Sequence, residues 1–211
     1  MNLVQVFKRE CVRIYGSCNT CYPCPDMFVG LVDIDKNLFC PLLTSYKNLK
    51  DWELPTIAIV LESPHIREYD FNGCPIGPAQ GRTGTCLKQY IIKILESQNI
   101  RGQYKLLLIE AVSFQCSNGG EKINHTSRNQ LFKIVWKCGG KRDFLSRIKL
   151  YKPQILINAC TGGKKGISKS GSLNYLVQQS LEKLTAENSS CQLFYSNHPS
   201  DWNDSTRIYN A

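Results

Sequence analysis

A chain of 211 residues, 42% hydrophobic and 20% charged, can bury a substantial core and is too apolar to be disordered. No apolar run approaches the roughly 18 residues that span a bilayer, and the charged start (Lys8, Arg9, Glu10) is unlike a signal peptide. A soluble, cytoplasmic protein is expected. Its formal charge of +9 suits a polyanionic partner, or serves solubility alone.

In chain order, Leu3, Val6, Phe7 and Ile14 carry the spacing of a short amphipathic helix over Leu3 to Tyr15. Cys18, Cys21 and Cys24 follow, with Pro23 and Pro25 forbidding regular structure. Val29 to Ile34 and Leu38 to Leu43 read as strands around the turn Asp35-Lys36-Asn37. Thr56 to Leu61 is apolar without alternation, as in a central parallel strand. A loop rich in Gly and Pro runs to Gly84, and Leu87, Tyr90, Ile91, Ile94 and Leu95 then give helical spacing. Further strands are expected over Lys105 to Val112, Gln154 to Ala159 and Cys191 to Ser196. Helical turns pass through Trp136 and Phe144 to Ile148, and a helix covers Leu173 to Leu184. Strand, loop and helix in repetition predict a parallel α/β sheet. One domain over 1–211 is expected, with 1–54 as an N-terminal part and 55–211 as the α/β core.

Ligands of such sheets bind at the carboxyl ends of the strands. The unusual residues fall there: Glu62-Ser63-Pro64-His65, Glu110, Thr161-Gly162-Gly163 and Asn197-His198-Pro199-Ser200. Four strand ends are expected to share one cleft.

Val60-Leu61-Glu62-Ser63-Pro64-His65, then Gly73-Cys74-Pro75-Ile76-Gly77, then Gly81-Arg82-Thr83-Gly84-Thr85-Cys86-Leu87, resembles the first motif of the iron–sulfur uracil-DNA glycosylases. His198-Pro199-Ser200 resembles the second motif of the same superfamily, and the resemblance covers roughly residues 55 to 204. It implies a three-layer α/β/α sandwich around a four-stranded parallel sheet. It also implies a monomeric enzyme that flips a base out of DNA and hydrolyses its N-glycosidic bond.

On that resemblance Glu62 orients a water and stabilises positive charge on the sugar, unless it is a structural carboxylate. His198 donates a hydrogen bond to the departing base, or is merely satisfied in its turn. Ser63, Pro64, His65, Ile76, Gly77, Gly81, Gly84 and Asn197 are expected around the base, with Ile76 where the family stacks an aromatic. No lysine falls within the two motifs, so a monofunctional enzyme leaving an abasic site is implied.

Glu110 stands near the family's base-reading Asn. A carboxylate only accepts hydrogen bonds, which suits the amine of cytosine better than uracil, or else Glu110 forms a structural salt bridge. The expected base is therefore a pyrimidine, with a modified cytosine such as a hydroxymethylated or glucosylated one favoured over uracil. Some superfamily members remove modified bases of bacteriophage genomes, which would make this an anti-phage activity.

Arg82, Lys164, Lys165 and Ser200 are expected against DNA phosphates, unless the Lys164-Lys165 loop is simply solvated, and Trp202 as a wedge in the duplex or as a packed core residue. Cys21-Tyr22-Pro23-Cys24-Pro25 resembles the first half of the family's cluster ligands, with Cys116 and Cys138 in the regions of the second half. These four would hold a structural iron–sulfur cluster or zinc, or remain ordinary thiols. No cofactor is required for the chemistry itself. Two other classes stay open: a nucleic-acid-binding module without catalysis, and a nucleotide-binding phosphotransferase.

Overall fold

The computed structural model describes residues 2–41, 53–117, 125–160, 172–187 and 190–210. Helix α1 (Leu3–Tyr15) starts at Asn2, whose side chain accepts from the Gln5 N–H while Gln5 reaches back to the Asn2 N–H. It stops at Gly16, whose φ of 80° puts it in the left-handed region. Strands β1 (Met27–Asp33) and β2 (Leu38–Pro41) form a hairpin. Then come β3 (Thr56–Leu61), α2 (Arg82–Glu96), β4 (Gln103–Glu110), α3 (His125–Val135) and α4 (Lys141–Tyr151). The chain ends with β5 (Ile155–Asn158), α5 (Leu173–Ala186), β6 (Gln192–Tyr195) and β7 (Tyr209–Asn210).

Among the described residues seven strands form one sheet in the order β2-β1-β4-β3-β5-β6-β7. Strand β3 runs parallel to both β4 and β5, and β5 parallel to β6. The sheet is mixed, because β1 joins β4 and β7 joins β6 antiparallel. It is wider than the four strands expected. Hairpin β1–β2 extends one edge and β7 the other.

Every residue of β3 is buried, which explains its lack of alternation: both faces of the sheet are covered. Ala58, Val60, Leu107, Ile109 and Leu156 face a core with Phe7 of α1, Phe132 of α3, Phe144 of α4 and Val177 of α5. Ile57, Ile59, Leu61, Leu106, Leu108 and Ile157 face a second core with Leu87, Ile91 and Leu95 of α2. On the first face Phe7 stacks on Phe114 with ring centroids 4.8 Å apart. Trp136 lies 5.7 Å from Phe132 and 5.6 Å from Phe144. Gly139, at φ 131°, makes the kink between α3 and α4 that brings these rings together. Among the described residues no helix is long and apolar enough to cross a membrane.

Candidate active site

A cleft of about 450 Å³ opens at the carboxyl ends of β3, β4 and β6. Glu62, Ser63, Pro64 and His65 reach it from the end of β3, Glu110 from β4, and His198 and Ser200 from the turn after β6. Gly81 and Arg82, at the start of α2, also line it. Thr161-Gly162-Gly163, expected at the fourth strand end, lie outside the described residues, as do Lys164 and Lys165.

Glu62 is 5% exposed, and its Oε1 pairs with Nε of Arg128 at 3.2 Å. Arg128 belongs to α3 and is itself held in place by its bonds to Asn129 Oδ1. The guanidinium fixes the carboxylate's orientation at the cleft wall. Ser63 is half-buried near the Cys116 thiol, whose pKa burial raises and Ser63 helps to lower.

The loop from His65 to Gly81 is organised by Glu68, a buried carboxylate with no counterpart in the sequence reading. Its Oε1 accepts from the Ala79 N–H at 2.6 Å and its Oε2 from the His65 N–H at 3.0 Å. Its carbonyl accepts from the Ile76 N–H. Burial pushes its pKa up despite these two backbone donors.

His198 caps the short 3₁₀ turn Pro199–Asp201. Its Nδ1 accepts from the Ser200 N–H at 3.3 Å and sits 2.9 Å from the Ser200 hydroxyl. A backbone N–H can only donate, so the neutral ring carries its proton on Nε2, a tautomer inferred from these partners. Burial pushes the His198 pKa down to about 4, opposed by Asp201 and assisted by Arg128. At neutral pH the imidazole is an uncharged donor at the cleft wall.

Glu110 is the deepest polar residue of the cleft, 2% exposed. Burial raises its pKa well above the ordinary 4.5, and the neighbouring Glu68, Glu62 and Asp26 add to this against one opposing cation, Arg147. An unfolded chain ionises this group above about pH 4.5, whereas the folded chain holds its proton to higher pH. Folding therefore takes up a proton, and stability is lost as pH rises through that window. Glu110→Gln removes the dependence. Its melting temperature relative to the wild type rises as pH increases above about 4.5, a trend that melting curves at successive pH values would check.

Comparison with protein-family models, with curated proteins and with solved structures gives no match.

Several expected site residues lie elsewhere. Ile76 is 52% exposed and lines a separate, largely apolar cavity with Met27, Phe39 and Leu87. Gly77 and Gly84 serve the packing of the loop and not the cleft. Gly77 has φ 117° with a Met27 sulfur 2.9 Å from where a Cβ would stand. A Cβ on Gly84 would meet the Ala79 carbonyl oxygen at 2.2 Å. Asn197 is exposed and not part of the cleft wall, although its carbonyl accepts from the Trp202 indole.

Trp202 is 2% exposed, with its Nε1–H donating to Ser196 Oγ and the Asn197 carbonyl, both at 2.9 Å. It is a core residue under the His198 turn, not a side chain presented to a duplex. Trp202→Ala should cost about 3–5 kcal/mol of stability, as for other buried aromatics, measurable by denaturant unfolding.

The four cysteines expected to bind a cluster are not brought together among the described residues, which hold no group of three or more metal-ligating side chains. Cys21 lies 3.8 Å from Cys18, sulfur to sulfur. Cys24 is buried, and burial first, then the nearby acids Glu110, Glu68 and Asp26, raise its pKa. Cys116 is buried behind Glu62, whereas Cys138 is exposed in the α3–α4 kink.

Arg128 and Glu68 are the functional residues that sequence reasoning missed. Each is one polar residue of its type in an unremarkable context, and only the fold sets it against Glu62 or the loop amides.

Proposed function

We propose that the chain is a DNA glycosylase that hydrolyses the N-glycosidic bond of a flipped-out pyrimidine nucleotide and leaves an abasic site. One observation carries the reading: an oriented, buried carboxylate (Glu62) and a neutral imidazole donor (His198) line the same strand-end cleft. Glycoside cleavage through an oxocarbenium-like state needs those two parts.

Glu62 orients a water towards C1′ of the sugar and stabilises positive charge there. The bond from C1′ to the base nitrogen breaks, and its electron pair leaves with the base. His198 Nε2–H donates to the base oxygen on which that charge accumulates. The water oxygen bonds to C1′, its proton is released, and the departing base takes up a proton. No lysine falls within the two motif segments, so the reaction is read as water-dependent and monofunctional, without a Schiff base.

Arg82 and Ser200 at the cleft rim and the charge of +9 suit DNA phosphates, with the chain acting as a monomer in the cytoplasm. The cleft of about 450 Å³ lies within the ordinary range for small-molecule sites and exceeds what a bare pyrimidine ring fills. The base we propose is a substituted cytosine, hydroxymethylated or glucosylated as in some phage DNA, ahead of uracil. A defence role against such DNA follows from that choice of base.

The test is an excision assay on oligonucleotides carrying uracil, hypoxanthine, and cytosine with methyl, hydroxymethyl or glucosyl groups, with abasic sites revealed by alkali. Cleavage at a pyrimidine supports the reading. Salt-sensitive binding with no cleavage anywhere on the panel favours a binding module without catalysis.

A further inference from the structure

The end of β4 holds a polar group that the protein leaves incomplete. Glu110 lines the cleft, is 2% exposed, and its Oε2 has no hydrogen-bond partner among the described residues. A buried polar atom in that condition costs stability unless something else satisfies it.

The charged groups facing it explain why nothing in the protein does. Glu62 approaches from the end of β3, Glu68 from the loop and Asp26 from the segment before β1. The sulfhydryl of Cys24, the phenol of Tyr69 and the sulfhydryl of Cys160 also lie close enough to feel a charge placed on it. Arg147 of α4 is the one cation among these groups, and its donors are committed elsewhere. Its Nη1 pairs with Asp26, its Nε with Asp143 at 2.9 Å, and its Nη2 donates to the main-chain carbonyl of Glu110 at 2.8 Å. The side chain is an acid among acids.

We propose that Glu110 meets its ligand as a neutral carboxylic acid, donating its O–H and accepting through its C=O along the N3–C4 edge of a pyrimidine. The identity of the ligand rests on the glycosylase reading, whereas the protonated state rests on the surroundings of Glu110 alone. A carboxylic acid sets a donor beside an acceptor, as an amide does, but its proton can sit on either oxygen. With cytosine the C=O accepts from the exocyclic amine and the O–H donates to N3. With uracil the O–H donates to O4 and the C=O accepts from N3–H. Glu110 thus recognises the edge without choosing between the two bases. This revises the expectation of an acceptor-only carboxylate that excludes uracil.

Infrared difference spectroscopy of wild type against Glu110→Gln at pH 7 tests the protonated state directly. A carboxylic-acid carbonyl band lost in the variant supports the proposal, and its absence from the wild type overturns it. Free cytosine and free uracil should each shift that band, whereas 3-methyluracil, which lacks the N3 donor, should not. A band indifferent to all three overturns the ligand assignment.

In binding of the free bases, Glu110→Ala should lose about 10- to 100-fold, the cost of leaving these hydrogen bonds unmade. Glu110→Gln should lose less and should no longer weaken as pH rises, because the amide has no proton to give up. Equal losses in both variants would overturn the proposal. Melting curves confirm that each variant is folded, and alkaline titration of the wild-type band needs no variant at all. The two readings fail separately: excision without an acid band removes only this proposal, and a shifting band without excision removes only the glycosylase reading.

Discussion

Glu62→Gln lowers the single-turnover rate of base excision by about 10²–10⁴-fold, the range of a positioned acid–base group. The amide keeps the shape of the side chain but loses the charge that orients water and faces the developing oxocarbenium ion. DNA binding should change little, since Glu62 is 5% exposed within the cleft. The variant also leaves Arg128 without its carboxylate partner, so some loss of stability accompanies the loss of rate. Melting temperature and single-turnover kinetics measured on the same sample separate the two. A rate within a few-fold of wild type, from a fully folded variant, would reassign Glu62 to a structural role.

His198→Ala lowers the same rate by about 10²–10³-fold, as for removal of one donor from an oxyanion site. The pH dependence is the sharper signature. An ordinary histidine would give an inflection near its unperturbed value of about 6.5. With the pKa pushed down to about 4, the ring is neutral throughout the neutral range. The wild-type rate should therefore have no His198 inflection between pH 5.5 and 7.5, a window chosen to bracket that unperturbed value. Towards pH 4 protonation of Nδ1 breaks its bond from the Ser200 N–H and frees the ring to turn. An inflection near pH 6.5 that disappears in His198→Ala would show that the ring titrates normally and contradict its assignment as a neutral donor.

Much of the fold was legible because its signals are local. The β3 run Thr56–Leu61 reads as a buried strand from composition alone, and the spacing of Val6, Phe7 and Ile14 marks α1. The turn after β6 carries its own capping chemistry in His198-Pro199-Ser200. The edges of the sheet were less legible. Strand β7 is two residues long, and β1 reveals its pairing with β4 only through the fold.

The cleft was legible where a residue ends a core strand, as Glu62 and Glu110 do. It was not legible within the glycine loop. There Gly77 and Gly84 answer to Met27 and to the Ala79 carbonyl, contacts that no local pattern announces. Trp202 shows the same limit, since its position after His-Pro-Ser suits a wedge as well as a core residue until its burial is known. The raised pKa of Glu110 comes first from its burial and then from Glu68, Glu62 and Asp26, opposed by Arg147, groups that belong to three separate parts of the chain. Its sequence position therefore suggested the location but not the charge.

The central claim is that this cleft releases a free base. Mass spectrometry of the small molecules set free from the DNA panel, run with wild type and Glu62→Gln in parallel, tests it most directly. The account predicts an intact pyrimidine released by the wild type in amounts equal to the abasic sites formed, with the variant releasing far less. No free base from any substrate, or equal release by both proteins, would contradict it.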